Sequence, residues 1–140
     1  MTVNFGVVRL LRDLCGEDRQ AKEKALIALA KLGPRAADAV PILTRIATST
    51  ADPKISSIAV HALGRIGKKA RSSVGPLCKL LLAYKEHLFG RTIAKALAQI
   101  GDPRALPTLY EAKNTRHGMV NKEAWNAIRR IEAQSTGSGR

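Results

Sequence analysis

Aromatic residues are scarce in this chain of 140 residues. One tryptophan, two tyrosines and two phenylalanines make up 4% of it, whereas 45% of the residues are hydrophobic. A core must therefore be built mainly from alanine, leucine, isoleucine and valine, which suits closely packed helices and disfavours a large β-sandwich. The hydrophobic share is sufficient for one domain to fold without disulfides or metals.

Residues that usually carry chemistry are few and dispersed. Cys15 and Cys78 lack a CxxC spacing, so neither a zinc site nor a disulfide framework is indicated, and both are expected to be buried free thiols. His61, His87 and His117 are widely separated, and no HExxH, GxSxG or P-loop motif is present. The sequence therefore predicts a non-enzymatic protein with no cofactor, no metal and no small-molecule substrate.

Long apolar runs are also missing. No stretch approaches the roughly 18 uninterrupted apolar residues of a membrane span, which predicts no membrane partner. The first fourteen residues carry Arg9 and Arg12 among apolar residues and lack a small-residue cleavage site, which is not typical of a signal peptide. We therefore expect a soluble cytoplasmic protein in a reducing compartment.

Acidic residues are in short supply relative to basic ones. The chain has 24 lysines and arginines against 11 aspartates and glutamates, a formal net charge of +13. Residues 53–85 contain no acid and seven bases, so the excess is concentrated in the middle of the chain. A concentrated positive charge points first to a polyanionic partner.

The chain repeats one pattern at a constant offset of 34 residues. Residues 25–33, 59–67 and 93–101 share it, and residues 124–131 form a fourth copy in which Glu132 replaces the final glycine. Within each copy the apolar residues recur at helical spacing, so each copy is predicted to be the second helix of a pair. Residues 3–14, 37–48, 71–85 and 104–113 supply the first helices.

Local signals agree with these helix pairs. An acid precedes each of the first three second helices and is expected to cap it, and a glycine follows each and is expected to adopt the left-handed C′ conformation. The acids are Asp18, Asp52 and Glu86, and the glycines are Gly33, Gly67 and Gly101. The sequence thus predicts an all-α, right-handed α-solenoid of about four helix pairs. Its single domain spans residues 1–133, with repeats 3–33, 34–67, 68–101 and 102–132 and a flexible tail at 134–140.

The recurring Ala-x-x-Ala-Leu-x-x-Ile-Gly, followed by a basic loop and a proline, resembles the HEAT-like repeats also found in phycobilisome bilin lyases. Such repeats usually carry Val-Arg at the start of the second helix, beside the preceding acid. Here Ala21-Lys22 and Ile55-Ser56 occupy the corresponding positions, so the acids are expected to serve mainly as caps. The resemblance is specific for the fold and unspecific for function.

The repeat register predicts where the positive charge lies. Positions four apart share the solvent side of each second helix, and stacking should set the equivalent positions of successive second helices side by side, about 10 Å apart. The loop after each glycine adds a second row. In solenoids of this kind the second helices line the concave surface, the usual binding site. The candidate polyanion-binding residues are Lys31, Arg35, His61, Arg65, Lys68, Lys69, Arg91, Lys95, Arg104, Lys122 and Arg130.

These features favour a binding or adaptor module that contacts the phosphate backbone of RNA or DNA within a larger assembly. An alternative is a scaffold for an acidic protein. Resemblance alone suggests two further alternatives, an accessory subunit of a bilin lyase and a HEAT-like DNA glycosylase, which uses a tryptophan and an aspartate in a basic cleft. Trp125 is the one tryptophan, and it is either a cap on the last repeat or a partner contact.

Overall fold

The computed structural model describes residues 5–49 and 51–137, and every regular element in those ranges is helical. The start of the first predicted repeat at residue 3 and the last three residues of the predicted tail lie outside them. The α-helices are α1 (Phe5–Cys15), α2 (Arg19–Leu32), α3 (Val40–Ser49), α4 (Pro53–Ile66), α5 (Val74–Tyr84), α6 (Leu88–Ile100), α7 (Leu106–Ala112) and α8 (Gly118–Gly137).

The helices pair and stack as the repeat predicts. Helix α1 packs on α2, α3 on α4, α5 on α6 and α7 on α8, and the second helices α2, α4, α6 and α8 pack on one another in order. The predicted all-α solenoid of four helix pairs is therefore confirmed. Its second helices form one continuous layer, which positions the candidate site.

Small aliphatic side chains fill the interior of this stack. Leu29, Leu63, Leu97 and Ile128 occupy equivalent positions in the four second helices and are buried. Alanine and glycine at neighbouring positions allow the second helices to approach closely. A Cβ atom added to Gly64 would lie 3.0 Å from the Cα of Ala96, so α4 and α6 touch at this point.

The first helices begin later than predicted. Segments of 3₁₀-helix occupy Gly33–Ala39, Gly67–Ser73 and Pro103–Ala105, so α3, α5 and α7 begin at residues 40, 74 and 106 rather than 37, 71 and 104. The physical reason lies in the backbone conformation of the glycines and of the turns that they lead into. Gly101 adopts the predicted left-handed conformation, whereas Gly33 and Gly67 combine positive φ with ψ near −132° and −137°. That conformation is accessible to glycine, and in both loops it leads directly into a 3₁₀ turn.

Two of the three predicted caps are confirmed. The Asp18 carboxylate accepts hydrogen bonds from the amides of residues 20 and 21, and the Asp52 carboxylate accepts from those of residues 54 and 55. The prediction for Glu86 is wrong, because α6 begins two residues after it and His87 holds the cap position. Hydrogen bonds to Thr115 and to the Arg116 amide instead hold the pKa of Glu86 below its ordinary value.

The last helix extends into the predicted tail. Helix α8 continues to Gly137, so residues 134–137 are helical. The first three second helices end at a glycine with positive φ, whereas the fourth has Glu132 at that position and no signal to stop. The predicted domain boundary at residue 133 therefore falls inside a helix.

The cysteine prediction is half correct. Cys78 is partly buried, and that burial raises the pKa of its thiol. Cys15 is exposed, because it is the last residue of α1 and its neighbour Leu14 faces the interior instead. Both are free thiols.

Candidate anion-binding surface

Every one of the eleven candidate residues has an exposed side chain. Seven of them lie on the solvent side of the second helices, at the positions that the repeat register predicts. Four lie in the loops that follow the glycines. Three neighbouring hollows lie along this surface, and the side chains that line the same hollow lie close together.

The largest hollow lies between α2, α4 and α6 and has a volume of about 640 Å³. Its basic lining consists of Lys31, His61 and Arg65, contributed by adjacent repeats. Apolar side chains complete its walls, with Ile27 43% exposed at the surface. The hollow thus combines an apolar floor with a basic margin.

Two smaller hollows adjoin the largest one. The first, of about 150 Å³, is lined by His61, Arg91, Lys95 and Gln99 among others. The second, of about 440 Å³, runs along the glycine loops and is lined by basic residues of α4, the following loop and α8, namely Arg65, Lys68, Lys69 and Arg130. Because the three hollows share lining residues, they form one continuous surface, which we call the basic trough.

The basic trough contains seven lysines and arginines, one histidine and no carboxylate among its lining residues. The cations are Lys31, Arg65, Lys68, Lys69, Arg91, Lys95 and Arg130. Hollows lined by one sign of charge raise the local concentration of counter-ions and speed the association of oppositely charged partners. The trough is therefore suited to hold several anionic groups in a row.

His61 lies at the centre of the trough, where the two hollows between the second helices meet. Partial burial is the main cause that lowers the pKa of its imidazole, and the positive charges of Lys95 and Arg65 lower it further. The ring is therefore more readily neutral than a free histidine. An anion bound between the same two cations would have the opposite effect on that pKa.

Three of the candidate residues are not brought into the trough. The Arg104 guanidinium donates to the Asp102 carboxylate at 2.7 Å and to the backbone oxygen of Arg71 at 3.1 Å, so it connects two neighbouring loops instead. Arg35 is exposed on the first 3₁₀ segment and lines none of the three hollows. Lys122 lines a fourth hollow together with Glu123, and this hollow meets the trough only at Arg91.

Acidic side chains lie at one border of the second-helix layer. Arg19 pairs with Asp52 at 2.7 Å, and Lys54 pairs with Glu23 at 2.7 Å, so both pairs connect the first two repeats. Arg19 thereby supplies the inter-repeat arginine that the sequence lacks at its usual place, and this pairing lowers the pKa of Asp52. At the other end, Arg91 approaches Glu123 at 3.7 Å, the one trough cation with an ion pair among the described residues.

The apolar floor was not anticipated from the sequence. Ile27, Ala30 and Ile58 line the largest hollow, whereas the predicted contacts on the second helices are all charged or polar. A signal was present: Ile27 occupies the position at which the later repeats have His61, Lys95 and Asn126. A large apolar residue in a row of polar ones indicates a surface that binds a partner, because a surface that only contacts water would keep polar residues there.

Trp125 lies away from the trough. The residue is 40% exposed, and the ammonium group of Lys113 in the α7–α8 loop stands 4.3 Å from the ring centre. Neither Trp125 nor a carboxylate lines the trough, so the tryptophan and acid of a glycosylase cleft are not brought together there. The cation–π contact is instead a feature of the last repeat.

Within the described ranges, no cluster of three or more histidine, cysteine, aspartate or glutamate side chains is arranged to hold a metal ion. None of the helices described is both long and apolar enough to span a bilayer.

Stacked helix pairs repeating at 34 residues define an α-solenoid. The family described as PBS lyase HEAT-like repeat matches residues 91–115, which span most of α6 and the start of the fourth repeat. This match supports a HEAT-like repeat architecture, a scaffold that fits a binding or adaptor module.

A solved structure supports the same architecture over nearly the whole chain. It is the crystal structure of an engineered protein, with 25% sequence identity and a TM-score of 0.69. The alignment covers 92% of this chain and 63% of that one, so this chain spans less than two thirds of its length. No curated protein matches the sequence.

Proposed function

We propose that the basic trough binds the phosphate backbone of a nucleic acid, as part of a larger ribonucleoprotein or nucleoprotein assembly. The observation that supports this proposal is the concentration of seven lysines and arginines around three connected hollows without a carboxylate in their lining. Phosphate groups recur along a strand at spacings that several separate cations can match, and neutralising them releases condensed counter-ions.

The contacts would be made mainly to phosphates. Tryptophan, tyrosine and phenylalanine are missing from the trough lining, so stacking platforms for bases are not offered there. Gln99 is the only amide side chain in the lining, and amides are the usual readers of adenine edges. The proposed binding is therefore tolerant of sequence and dependent on charge.

Salt dependence tests the proposal. Affinity for random-sequence RNA or duplex DNA should fall with salt at a log–log slope of about −4 to −6, as expected if about five to seven phosphates are contacted. The combined variant Arg65→Gln, Lys68→Gln, Lys95→Gln should lower affinity at least about tenfold and reduce the slope by about two to three. Fluorescence anisotropy with labelled oligonucleotides measures both quantities.

A matched variant separates position from total charge. Arg9→Gln, Arg12→Gln, Arg45→Gln removes the same three charges from exposed positions on α1 and α3. We expect it to change affinity much less than the trough variant does, with both variants folded by circular dichroism. Equal losses from the two variants, or no binding of the unmodified protein at about 50 mM salt, would contradict the proposal.

The apolar floor of the largest hollow favours a second candidate, the binding of an acidic protein segment that also carries apolar side chains. Ile27, Ala30 and Ile58 offer contact area that a phosphate backbone does not use. Ile27→Ser separates the two candidates, because it should weaken such a segment and leave nucleic-acid affinity nearly unchanged. An acidic partner retained after nuclease treatment, and lost with Ile27→Ser, would favour the second candidate.

A further inference from the structure

The last described repeat exposes a position that the earlier repeats bury. Trp125 occupies the second position of the repeated second-helix pattern, where the earlier repeats have Leu26, Val60 and Ala94. All three of those residues are completely buried, whereas Trp125 is 40% exposed. The largest apolar side chain at this position is therefore the one that is left uncovered.

The sixth position of the pattern behaves in the same way. Ala30, Gly64 and Ala98 are buried there, and Arg129 is exposed in the last repeat. The close approach of Gly64 to Ala96 shows that this position faces the following repeat. The second and sixth positions therefore lie on the side of each second helix that the next one covers.

The surroundings of Trp125 combine apolar area with positive charge. The Lys113 ammonium stands 4.3 Å from the centre of the Trp125 ring and 5.4 Å from that of Tyr110, which is also 40% exposed. The Tyr110 hydroxyl donates a hydrogen bond to the Glu132 carboxylate, so this carboxylate already has a partner within the chain. We define the end face as Tyr110, Lys113, Trp125 and Arg129.

We propose that the end face docks an acidic amphipathic helix of a partner protein, packed on α8 as each second helix packs on the one before it. Two exposed aromatic rings would contact the apolar stripe of that helix, and Lys113 and Arg129 would pair with its carboxylates. A terminal repeat that ends in solvent is expected to have a polar outer face. Arg129, at the sixth position, is polar as expected. Trp125, at the second position, is a large apolar residue and is not.

Charge selects this occupant over a second copy of the chain. Head-to-tail stacking would bring the end face against the first helix pair, which exposes both signs of charge, with Arg9, Arg12 and Lys24 beside Glu17 and Asp18. A surface of mixed charge is only partly complementary to Lys113 and Arg129. An acidic helix provides the complementary charge together with an apolar stripe.

Trp125 itself reports on this surface, because it is the only tryptophan in the chain. The probe is a synthetic peptide of about 18 residues, about 27 Å long as a helix, with leucines at helical spacing and glutamates at most other positions. Its control has the same composition with the leucines dispersed around the helix. The patterned peptide should shift Trp125 emission saturably to shorter wavelength, as the ring leaves water, and the dispersed peptide should not.

Two variants locate the contact independently of the trough. Arg129→Glu should weaken the patterned peptide about tenfold while circular dichroism stays unchanged, because it replaces an attraction with a repulsion. Arg45→Glu, the same change on α3, should have little effect. The trough variant Arg65→Gln, Lys68→Gln, Lys95→Gln should retain the Trp125 response, so this inference can fail or succeed separately from the proposed function.

Several results would overturn the inference. These are no saturable change in emission, an equal response to the dispersed peptide, or an equal loss from Arg45→Glu. An equal shift with oligouridine would indicate base stacking on Trp125 instead. A shift that grows with protein concentration alone, together with dimers in sedimentation analysis, would identify a second copy as the occupant.

Discussion

His61 is the residue at which the charge of the trough can be changed by pH. Its ring lies among Lys31, Arg65, Arg91 and Lys95, and partial burial with the charges of Lys95 and Arg65 lowers its pKa. Folding therefore disfavours the protonated ring relative to the unfolded chain, so acidification through the ordinary histidine range reduces stability through this group. A bound anion acts in the opposite direction, since it favours the imidazolium.

Polyanion affinity should therefore rise as pH falls from about 7 to below the ordinary histidine pKa of about 6.5, because binding takes up a proton at His61. His61→Gln should abolish most of that rise and leave affinity above about pH 7.5 nearly unchanged. Anisotropy titrations across this pH range, at constant ionic strength, measure the effect.

His87→Gln is the matched control, because His87 is exposed at the start of α6 and lines none of the three trough hollows. It should retain the pH dependence of the unmodified protein. A pH profile that is flat in the unmodified protein, or one that His61→Gln leaves intact, would exclude His61 as a contact.

At the scale of residues, helical register was enough to predict exposure and not enough to predict pairing. Lys31, Arg65 and Lys95 are exposed because positions four apart share a helix face. The pairing of Arg19 with Asp52 joins residues 33 positions apart, and it depends on how two repeats meet. The guanidinium of Arg104 likewise bonds the distant Arg71 oxygen, a contact that no local spacing specifies.

Among the elements, α4 and α6 are in close contact at Gly64. A Cβ atom on Gly64 would approach the Ala96 backbone at 3.0 Å, and larger side chains would need the two helices to separate. Gly64→Leu should therefore destabilise the chain by about 1–3 kcal/mol, the usual cost of overpacking. Urea unfolding followed by circular dichroism measures the difference.

Gly75→Ala provides the comparison within a neighbouring helix. No heavy atom of the surroundings lies within 4 Å of the Cβ that alanine would add near the start of α5. Alanine is the better helix former, so this variant should be neutral or stabilise by up to about 1 kcal/mol. If both glycine substitutions destabilise alike, helix contact does not explain the cost at Gly64.

The elements themselves were predictable where a local signal acts alone. Asp18 and Asp52 cap their helices because the carboxylate is adjacent to the amides that need a partner. Glu86 has the same spacing in the repeat, yet Thr115 and Arg116 of the α7–α8 loop engage it, and that loop is not visible in the repeat pattern. The extension of α8 follows from Glu132, which stands in place of the glycine that ends the earlier second helices.

For the whole molecule, stacking order determines how stability is distributed. Helix α4 packs between α2 and α6, and α6 packs between α4 and α8, whereas α2 has one neighbouring second helix. In repeat proteins, stability is close to a sum of repeat and nearest-neighbour contributions, so repeats at an end can open first. This uneven distribution of stability can be predicted from the 34-residue repeat pattern as a whole, but not from any single motif.

Hydrogen exchange in the native state should therefore show the slowest amides in α4 and α6 and faster exchange in α1 and α2. Leu63→Ala, which empties a fully buried site in α4, should cost about 2–5 kcal/mol and lower protection throughout the chain. Leu14→Ala in α1 should lower protection mainly in the first helix pair, because the remaining repeats keep their mutual contacts. If Leu14→Ala lowered protection equally in α6, the chain would unfold as one unit and nearest-neighbour stacking would not govern its stability.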